Sequence, residues 1–314
     1  MPFNLPYQPI RQVLYNRTDL FEQFEATEAA TWGKTVDFRI YKHFIQEGGH
    51  TQNNPYMGMM QALHDNSITH GIYKLIRKRK VAAIMGDHKM RRDAKVYRDI
   101  AILARRLTGN GILMCTGGGP GAMEATHLGA SLTKYPLADL DKALARLKNQ
   151  AEVPELKGIV GQGGRVDQAL VAQAHAWFKP AYEIAASTRR PSQSLAVPTW
   201  GYGHEPTTPF ATHIGKYFQN SIREEGLLAL AKQGVIYAEG KAGTIQEIFQ
   251  DGAQNYYKTF EYFSPMVFLG VQYWTTTYPV VGVLEELFPD EFGKCLLVTD
   301  DINEAAEFIE EFSP

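Results

Sequence analysis

The most informative stretch of the sequence is CTGGGPGAMEATHLGA, residues Cys115–Ala130. It begins with the last residue of the apolar run ILMC and places four glycines and a proline directly before a segment of helical character. A second stretch, VIYAEGKAGTIQEIFQ at Val235–Gln250, has the same order of apolar run, glycine turn and helix. Two such units predict parallel strands joined by helices, with both glycine turns at the carboxyl ends of their strands.

The segments around these two stretches alternate in the same way. KVAAIMGDH contains the short apolar run Val81–Met85, and SLAVP, GVIYA, PMVFLGV and CLLVTDD predict further strands. INEAAEFIEEF predicts a closing helix with Asp300 or Asp301 near its N-cap. AKVYRDIAILARRLTGNG predicts a helix with one apolar face, formed by Val96, Ile100, Leu103 and Leu107. We therefore predict an α/β fold with a Rossmann-like, doubly wound and mainly parallel sheet.

The sequence predicts a Rossmann-like domain and two additions. Residues 79–314 carry the alternating pattern, and residues 131–192 interrupt it as a helical insertion. Residues 1–78 form an N-terminal helical extension, in which DLFEQFEATEAATWGK and PYMGMMQALHDNSITHGIYKLIRKRK predict helices around the loop QEGGHTQNNP. HIGKYFQNSIREEGLLALA predicts a helix that leads to the strand GVIYA.

Composition excludes several classes of protein. The net charge of −2 over 314 residues does not favour nucleic acid or an anionic membrane as a partner. Two cysteines argue against a disulfide framework and suit a reducing cytoplasm. The first residues lack the apolar run of a signal peptide, and no window is apolar enough for a transmembrane helix. The histidines have no metal-ligand spacing, so we expect no metal site.

Both glycine turns have the composition of a phosphate cradle. Glycines let the backbone approach an anion, and the helix that follows points unpaired N–H groups at it. The first glycine loop (Gly117–Gly121) contributes Gly118, Gly119 and Gly121, and the second glycine loop (Gly240–Thr244) adds the charge of Lys241 and the hydroxyl of Thr244. Neither loop is a Walker A motif. The alternative is that the glycines only form tight turns between strand and helix.

TGGGPGAMEATHLGA is similar to the GGG-x-x-G-x-M-x-x-A signature of the Lonely Guy (LOG) family, long described as lysine decarboxylases. EGKAGTIQE stands where that family has P-G-G-x-G-T-x-x-E. The resemblance implies a Rossmann-like fold, a homodimer or higher homo-oligomer, and no organic cofactor. It also implies hydrolysis of a nucleoside 5′-monophosphate to ribose 5-phosphate and free base. The extra segments resemble the longer nucleotide 5′-monophosphate nucleosidases of the same superfamily.

The same resemblance assigns roles to individual residues. It implies that Glu247 and Arg223 are the catalytic pair. This sequence departs from the family pattern at Glu239, which replaces the proline of the second motif, and at Lys241, which replaces a glycine. We expect the ligand to be bound by residues of both motifs and of the turn after the first strand, namely Gly86, His88, Gly118, Gly119, Gly121, Met123, Glu124, Gly240, Lys241, Ala242, Gly243 and Thr244.

Several of these residues have a second interpretation. Glu124 either contacts a ribose hydroxyl or favours the dipole of its helix, and Met123 either contacts the ligand or packs. His88 is a possible phosphate or base contact in the turn GDHKMRRD, which we otherwise interpret as a solvated basic turn. The loop GYGHEPTTPFATHIG is expected to line the crevice, where Trp200 and Tyr202 either stack on a base or pack.

Two functions remain open at this point. The first is an enzyme, in which a carboxylate stabilises the positive charge that builds on the sugar as the N-glycosidic bond breaks and orients or deprotonates water. The second is a nucleotide sensor or carrier that keeps the cradle and has lost hydrolysis. The altered second motif favours the sensor, whereas the presence of Glu247 and Arg223 favours the enzyme.

Overall fold

The computed structural model describes residues 5–51, 54–259, 261–290 and 294–313. This part of the chain contains one seven-stranded sheet. Its strands are β1 Val81–Met85, β2 Leu113–Thr116, β3 Ser194–Ala196, β4 His213–Ile214, β5 Gly234–Tyr237, β6 Met266–Leu269 and β7 Leu296–Thr299. They are all parallel, in the order β4-β3-β2-β1-β5-β6-β7. The Rossmann-like, doubly wound α/β fold expected from the sequence is confirmed.

The central strands are buried along their whole length. All residues of β1, β2, β5 and β6 are buried, as expected for apolar runs in a parallel sheet covered by helices on both faces. β1 pairs with β2 on one side and with β5 on the other. The strand order therefore reverses between β1 and β5, and in such sheets the crevice for a ligand lies at the carboxyl ends of the strands beside this reversal.

Helices precede the sheet and connect its strands. The described α-helices are α1 Arg17–Leu20, α2 Val36–Gln46, α3 Pro55–Ile76, α4 Lys95–Gly109, α5 Ala122–Ser131, α6 Leu137–Leu147, α7 Gln168–Ser187, α8 Asn220–Leu230, α9 Ala242–Tyr256, α10 Val280–Leu287 and α11 Ile302–Glu311. None of them is both long enough and apolar enough to cross a membrane. Asp301 caps α11 by accepting the N–H of Asn303.

The apolar face predicted for α4 packs against α5 and the sheet. Ile100, Leu103 and Leu107 are buried, and Val96 is half-buried. The two helices approach closely at Gly129, where a Cβ would lie 1.9 Å from the carbonyl oxygen of Ala101. Only glycine fits at this crossing, and the close contact fixes α5, the helix that follows the first glycine loop.

Residues 131–192 hold α6 and α7, and every strand of the sheet lies outside this range. Phe178 of α7 faces the N-terminal part of the chain: its ring lies 4.6 Å from that of Phe21 and 4.8 Å from that of Trp32. The insertion and the N-terminal segment therefore pack against each other through a shared aromatic cluster.

The N-terminal segment differs in part from expectation. α3 is the helix predicted over PYMGMMQALHDNSITHGIYKLIRKRK. The prediction of a continuous helix over DLFEQFEATEAATWGK is wrong. There α1 ends at Leu20 and a 3₁₀ turn covers Ala29–Lys34. Phe21 and Phe24 between them are buried. We attribute the difference to these aromatic contacts, since tertiary packing routinely overrides helix propensity.

A second correction concerns HIGKYFQNSIREEGLLALA, which was expected to be helical throughout. His213–Ile214 forms β4, and α8 begins only at Asn220. The backbone of Ile214 exchanges two hydrogen bonds with Tyr15, of 3.0 and 2.7 Å, and also pairs with β3. These pairings bind the N-terminal segment to the edge of the sheet and hold the residues before α8 extended.

Candidate functional site

Both glycine loops meet at the carboxyl end of β1. A Cβ at Gly86 would lie 2.9 Å from Cβ of Ala122, which follows the first glycine loop, and 3.1 Å from Cβ of Ala238, which precedes the second. The turn after β1 joins them, because the N–H of Asp87 donates to the carbonyl of Glu239 at 3.0 Å and its own carbonyl accepts from Ala122. The two loops therefore lie beside the strand-order reversal and not at opposite edges of the sheet.

The first glycine loop is buried and internally bonded. Gly118 has a positive φ of 74°, donates its N–H to Oγ1 of Thr116 at 3.0 Å and accepts from the N–H of Thr208 at 2.9 Å. Gly121 also has a positive φ, and a Cβ there would lie 2.2 Å from the carbonyl oxygen of Asp87. These two glycines are required by the backbone path itself.

Buried His127 anchors the first glycine loop through hydrogen bonds. Nε2 of His127 lies 2.8 Å from Oγ1 of Thr116, and its Nδ1 lies 2.9 Å from Oγ of Ser194. Burial lowers the pKa of His127 to about 3, so the ring is neutral near pH 7. The chain Ser194–His127–Thr116–Gly118 ties β3, α5 and β2 to the backbone of the loop.

The second glycine loop is exposed to solvent, whereas the first is buried. Lys241, Ala242 and Gly243 are exposed, and no described side chain caps the N-terminus of α9. Gly240 is packed, since a Cβ there would lie 2.1 Å from Oγ1 of the buried Thr244. The first-turn N–H groups of α9 are therefore open to an anion.

The substituted residue Glu239 lies to one side of this opening. Its Oε1 would be 3.6 Å from a Cβ at Gly270, after β6. The hydroxyl of Tyr273 from the same region donates to the carbonyl of Gly240 at 2.7 Å. The second glycine loop is therefore held from the β6 side.

Arg223 lies against the first glycine loop, and its Nη2 donates to Oε1 of Glu224 at 3.3 Å. It is buried on α8, and its Nη1 would lie 3.0 Å from a Cβ at Gly117. Its Nε donates to Oδ1 of Asn220 at 3.1 Å. Glu247 is half-buried on α9, and burial raises its pKa to about 7, although the positive charge of Arg223 opposes this rise. The negative charge of Glu224 adds to it.

A pocket of about 60 Å³ adjoins the first glycine loop. One wall contains the buried Lys216, whose Nζ donates to Oδ1 of Asp37 at 2.8 Å and to Oγ1 of Thr207 at 2.9 Å. The pocket is lined by Gly117, Gly118, Gly119, Met123, Pro198, Thr199, Tyr202, Glu205, Thr207, Lys216 and Arg223. The loop after β3 therefore lines the pocket together with the first glycine loop.

The aromatic residues of that loop have different roles. Trp200 is completely buried, and its Nε1 donates to Oδ1 of Asp37 at 3.1 Å, so it packs and does not stack on a ligand. Tyr202 is 47% exposed at the pocket. Sequence reasoning missed Lys216 and Asp37, because they are 179 residues apart and no local motif links them.

Glu124 lies in a buried ion pair. Nε and Nη2 of Arg92 each donate to its carboxylate at 2.7 Å, and the hydroxyl of Tyr97 donates at 2.8 Å. The Arg92 guanidinium also lies 3.7 Å from the ring centre of Trp177. The expectation that Arg92 belongs to a solvated basic turn is wrong. Glu124 is fully buried and its oxygens are engaged within the protein.

Met123 and His88 each lie at the edge of a cavity, unlike the fully buried Glu124. The Sδ of Met123 accepts the N–H of Gly119 at 3.4 Å at the edge of the 60 Å³ pocket. His88 is half-exposed, with Nδ1 3.7 Å from Asp87 and Nε2 3.8 Å from Glu205. It lines a neighbouring cavity of about 390 Å³ between the turn after β1 and the insertion.

The predicted site residues thus fall into four groups. One is the second glycine loop, with Lys241, Ala242 and Gly243 exposed and Gly240 and Thr244 packed against each other. Gly118, Gly119, Met123 and Arg223 line one pocket, and the charge of Arg223 reaches Glu247 on the helix of the second glycine loop. Gly86, Gly121 and Glu124 serve the packing around it. His88 lies in the adjoining cavity.

Comparison with known proteins adds no assignment: no model of a protein family matches the chain, and no curated protein does.

Proposed function

We propose that the chain is a nucleoside 5′-monophosphate nucleosidase of the Lonely Guy kind, which hydrolyses the N-glycosidic bond to free base and ribose 5-phosphate. The observation that carries the proposal is the position of Arg223. Its guanidinium reaches the first glycine loop and its charge acts on Glu247, a half-buried carboxylate on the helix of the second loop. Two glycine loops, an arginine and a carboxylate at one strand-order reversal suit a nucleotide substrate.

Each group has a role in this reaction. The exposed first turn of α9 binds the phosphate through backbone N–H groups, with Lys241 beside it. The ionised Glu247 carboxylate takes a proton from the attacking water and stabilises the positive charge on the sugar. Arg223 orients the substrate by donating to its oxygens. The water oxygen bonds to the sugar carbon as the C–N bond breaks. The base leaves with the bonding electrons and receives the proton that Glu247 took from the water.

The second candidate is a nucleotide sensor or carrier without hydrolysis. The exposed Glu239 and Lys241 favour it, since they replace the proline and glycine of the family motif directly at the proposed phosphate site. Incubating the protein with a panel of nucleoside monophosphates distinguishes the two candidates. The nucleosidase releases free base and ribose 5-phosphate. The sensor binds a monophosphate, as measured by calorimetry, and releases neither product.

We also propose that the chain self-associates and works in the cytoplasm. Ile222 on α8 and Tyr73 on α3 are 49% and 57% exposed and line one apolar depression of about 270 Å³. A second copy of the chain would cover such a surface. Sedimentation at micromolar concentration tests this, because a monomer there contradicts it.

A further inference from the structure

Glu205 brings a carboxylate to the first glycine loop. A Cβ at Gly119 would lie 3.5 Å from its Oε2, and Glu205 lines the same 60 Å³ pocket as Arg223. Its backbone N–H donates to the carbonyl of Tyr202 at 2.8 Å, so a tight turn after β3 presents the side chain. Glu205 belongs to neither glycine motif.

This carboxylate determines which part of a nucleotide fits the first glycine loop. In the 60 Å³ pocket the charges of Arg223 and Lys216 are already paired, with Glu224 and Asp37, so a phosphate there would meet the negative charge of Glu205. The first turn of α9 is open and has Lys241 beside it. Two amides of the first loop are also engaged, since Gly118 donates to Thr116 and Gly119 to Met123. The pocket therefore suits a neutral group that donates hydrogen bonds, such as a pair of sugar hydroxyls.

The surroundings of Glu205 leave room for the rest of a nucleoside. Glu205 lines both the 60 Å³ pocket and the 390 Å³ cavity, and His88 contributes to the cavity wall. The opposite wall of that cavity consists of residues 152–156 of the insertion. Arg91 of the turn after β1 pairs with Glu152 at 3.0 Å across this cavity. A sugar at Glu205 can therefore place its base in the larger cavity.

We propose that Glu205 binds the 2′,3′-diol of the substrate ribose, so that the site selects ribonucleotides over 2′-deoxyribonucleotides. The inference rests on the proposed function for its substrate class. A carboxylate accepts hydrogen bonds from both hydroxyls of a diol, and dinucleotide-binding folds use an acidic residue for the same contact. Removal of the 2′-hydroxyl leaves one acceptor of Glu205 without its donor, which is the basis of discrimination.

The test compares AMP with dAMP and GMP with dGMP, using both calorimetric affinity and kcat/KM. We expect the wild type to favour each ribonucleotide by at least about tenfold, the scale of one lost hydrogen bond to a charged group. Glu205→Ala and Glu205→Gln should reduce that preference to within about threefold, mainly by losing affinity for the ribonucleotide. Glu307→Gln, an exposed carboxylate on α11, should keep the wild-type preference.

The outcomes separate this inference from the proposed function. If the wild type binds monophosphates but releases no base, the nucleosidase proposal fails and the affinity ratios alone decide on Glu205. If both Glu205 variants keep the wild-type preference, or if the wild type has none or binds no monophosphate, the inference is overturned. Thermal unfolding of each variant checks that it is folded, and Glu205→Gln preserves the shape of the side chain if Glu205→Ala does not fold.

Discussion

Glu247 is the residue on which the proposed chemistry depends. Burial raises its pKa to about 7, although Arg223 acts in the opposite direction. A carboxylate with this pKa changes its charge in the range where a general base works best. Asp251, one turn later on α9, also has a pKa raised to about 7 by burial, but its carboxylate accepts from the hydroxyl of Tyr237 at 2.7 Å inside the core. The two acids differ in access and not in pKa.

The raised pKa of Glu247 predicts a pH-dependent stability difference. The folded chain holds a proton on Glu247 up to about pH 7, whereas the unfolded carboxyl releases it near its ordinary pKa of 4.5. Its stabilising contribution is complete below pH 4.5 and is lost as the pH rises to 7. We expect Glu247→Gln to be about 1–2 kcal/mol more stable relative to the wild type at pH 8 than at pH 4.5, after allowance for solvent screening.

Urea unfolding of both proteins at several pH values measures this difference. Asp251 is present in both and cancels from the comparison. A difference that is constant with pH would contradict the buried environment assigned to Glu247.

Arg92 and Arg91 are neighbours with opposite surroundings. Arg92 is 3% exposed and paired with Glu124, so Arg92→Ala leaves a buried carboxylate without its partner and should cost about 3–5 kcal/mol of unfolding free energy. Arg91→Ala is the matched control, because Arg91 pairs with Asp93 and Glu152 in solvent and should leave the midpoint of urea unfolding unchanged. Equal midpoints for the two variants would argue against the buried pair.

At the scale of elements, the second glycine loop provides a matched pair of glycines. A Cβ at Gly240 would lie 2.1 Å from Oγ1 and 2.7 Å from Cβ of Thr244, so rotation of that side chain alone cannot make room. A Cβ at Gly243 would meet no atom within 4 Å. We expect Gly240→Ala to lower the unfolding free energy by about 1–3 kcal/mol. Gly243→Ala should raise it by about 0.5–1 kcal/mol, because glycine destabilises a helix.

Thermal unfolding of these two variants in parallel is the measurement. Equal effects, or a more damaging Gly243→Ala, would show that the loop does not have the described conformation. Nucleotide affinity of the folded Gly240→Ala variant then reports whether the position of the loop matters for binding.

The elements predictable from sequence are those with a strong local pattern. β1, β2, β5 and β6 are continuous apolar runs, and α4 has apolar residues at helical spacing. β4 has only two residues and exists through its pairing with β3 and Tyr15. No local pattern encodes such a strand, which is why a helix was expected there.

The same distinction applies to the candidate site. The glycine loops lie in local motifs, Glu247 ends the second of these motifs, and Arg223 was assigned from the family resemblance alone. Glu205 comes to the pocket from the loop after β3 and Lys216 from the residues after β4, where Asp37 of the N-terminal segment holds it. Arg92 was expected in solvent because its partners Glu124 and Trp177 are distant in sequence. Contacts of this kind arise only when the chain is folded.

At the scale of the whole molecule, the N-terminal segment and the sheet share one core. Tyr15, Trp32 and Phe44 belong to the same cluster of buried apolar residues as the side chains of β1, β5 and β6. Asp65 of α3 accepts the N–H groups of Phe218 and Gln219, both at 2.9 Å, directly before α8. The residues before β1 therefore help to place α8, which carries Arg223.

This shared core predicts a single cooperative unfolding transition for the full chain. Calorimetry should give equal calorimetric and van't Hoff enthalpies, because the N-terminal segment cannot leave without exposing the sheet. Near-ultraviolet circular dichroism, which follows the buried tryptophans, should report the same midpoint as far-ultraviolet circular dichroism. A separate early transition would show instead that residues 5–78 fold as an independent unit.

The central claim is that this chain cleaves nucleoside monophosphates with Glu247. The most direct measurement is the rate of free-base release from a panel of monophosphates by the wild type and by Glu247→Gln, with nucleotide affinity measured on both. We predict that the wild type releases base, and that Glu247→Gln is slower by about 100-fold or more while still binding nucleotide, because it keeps the shape of the side chain and loses its charge. Unchanged turnover in Glu247→Gln, or no base released by the wild type from any monophosphate, would contradict the claim.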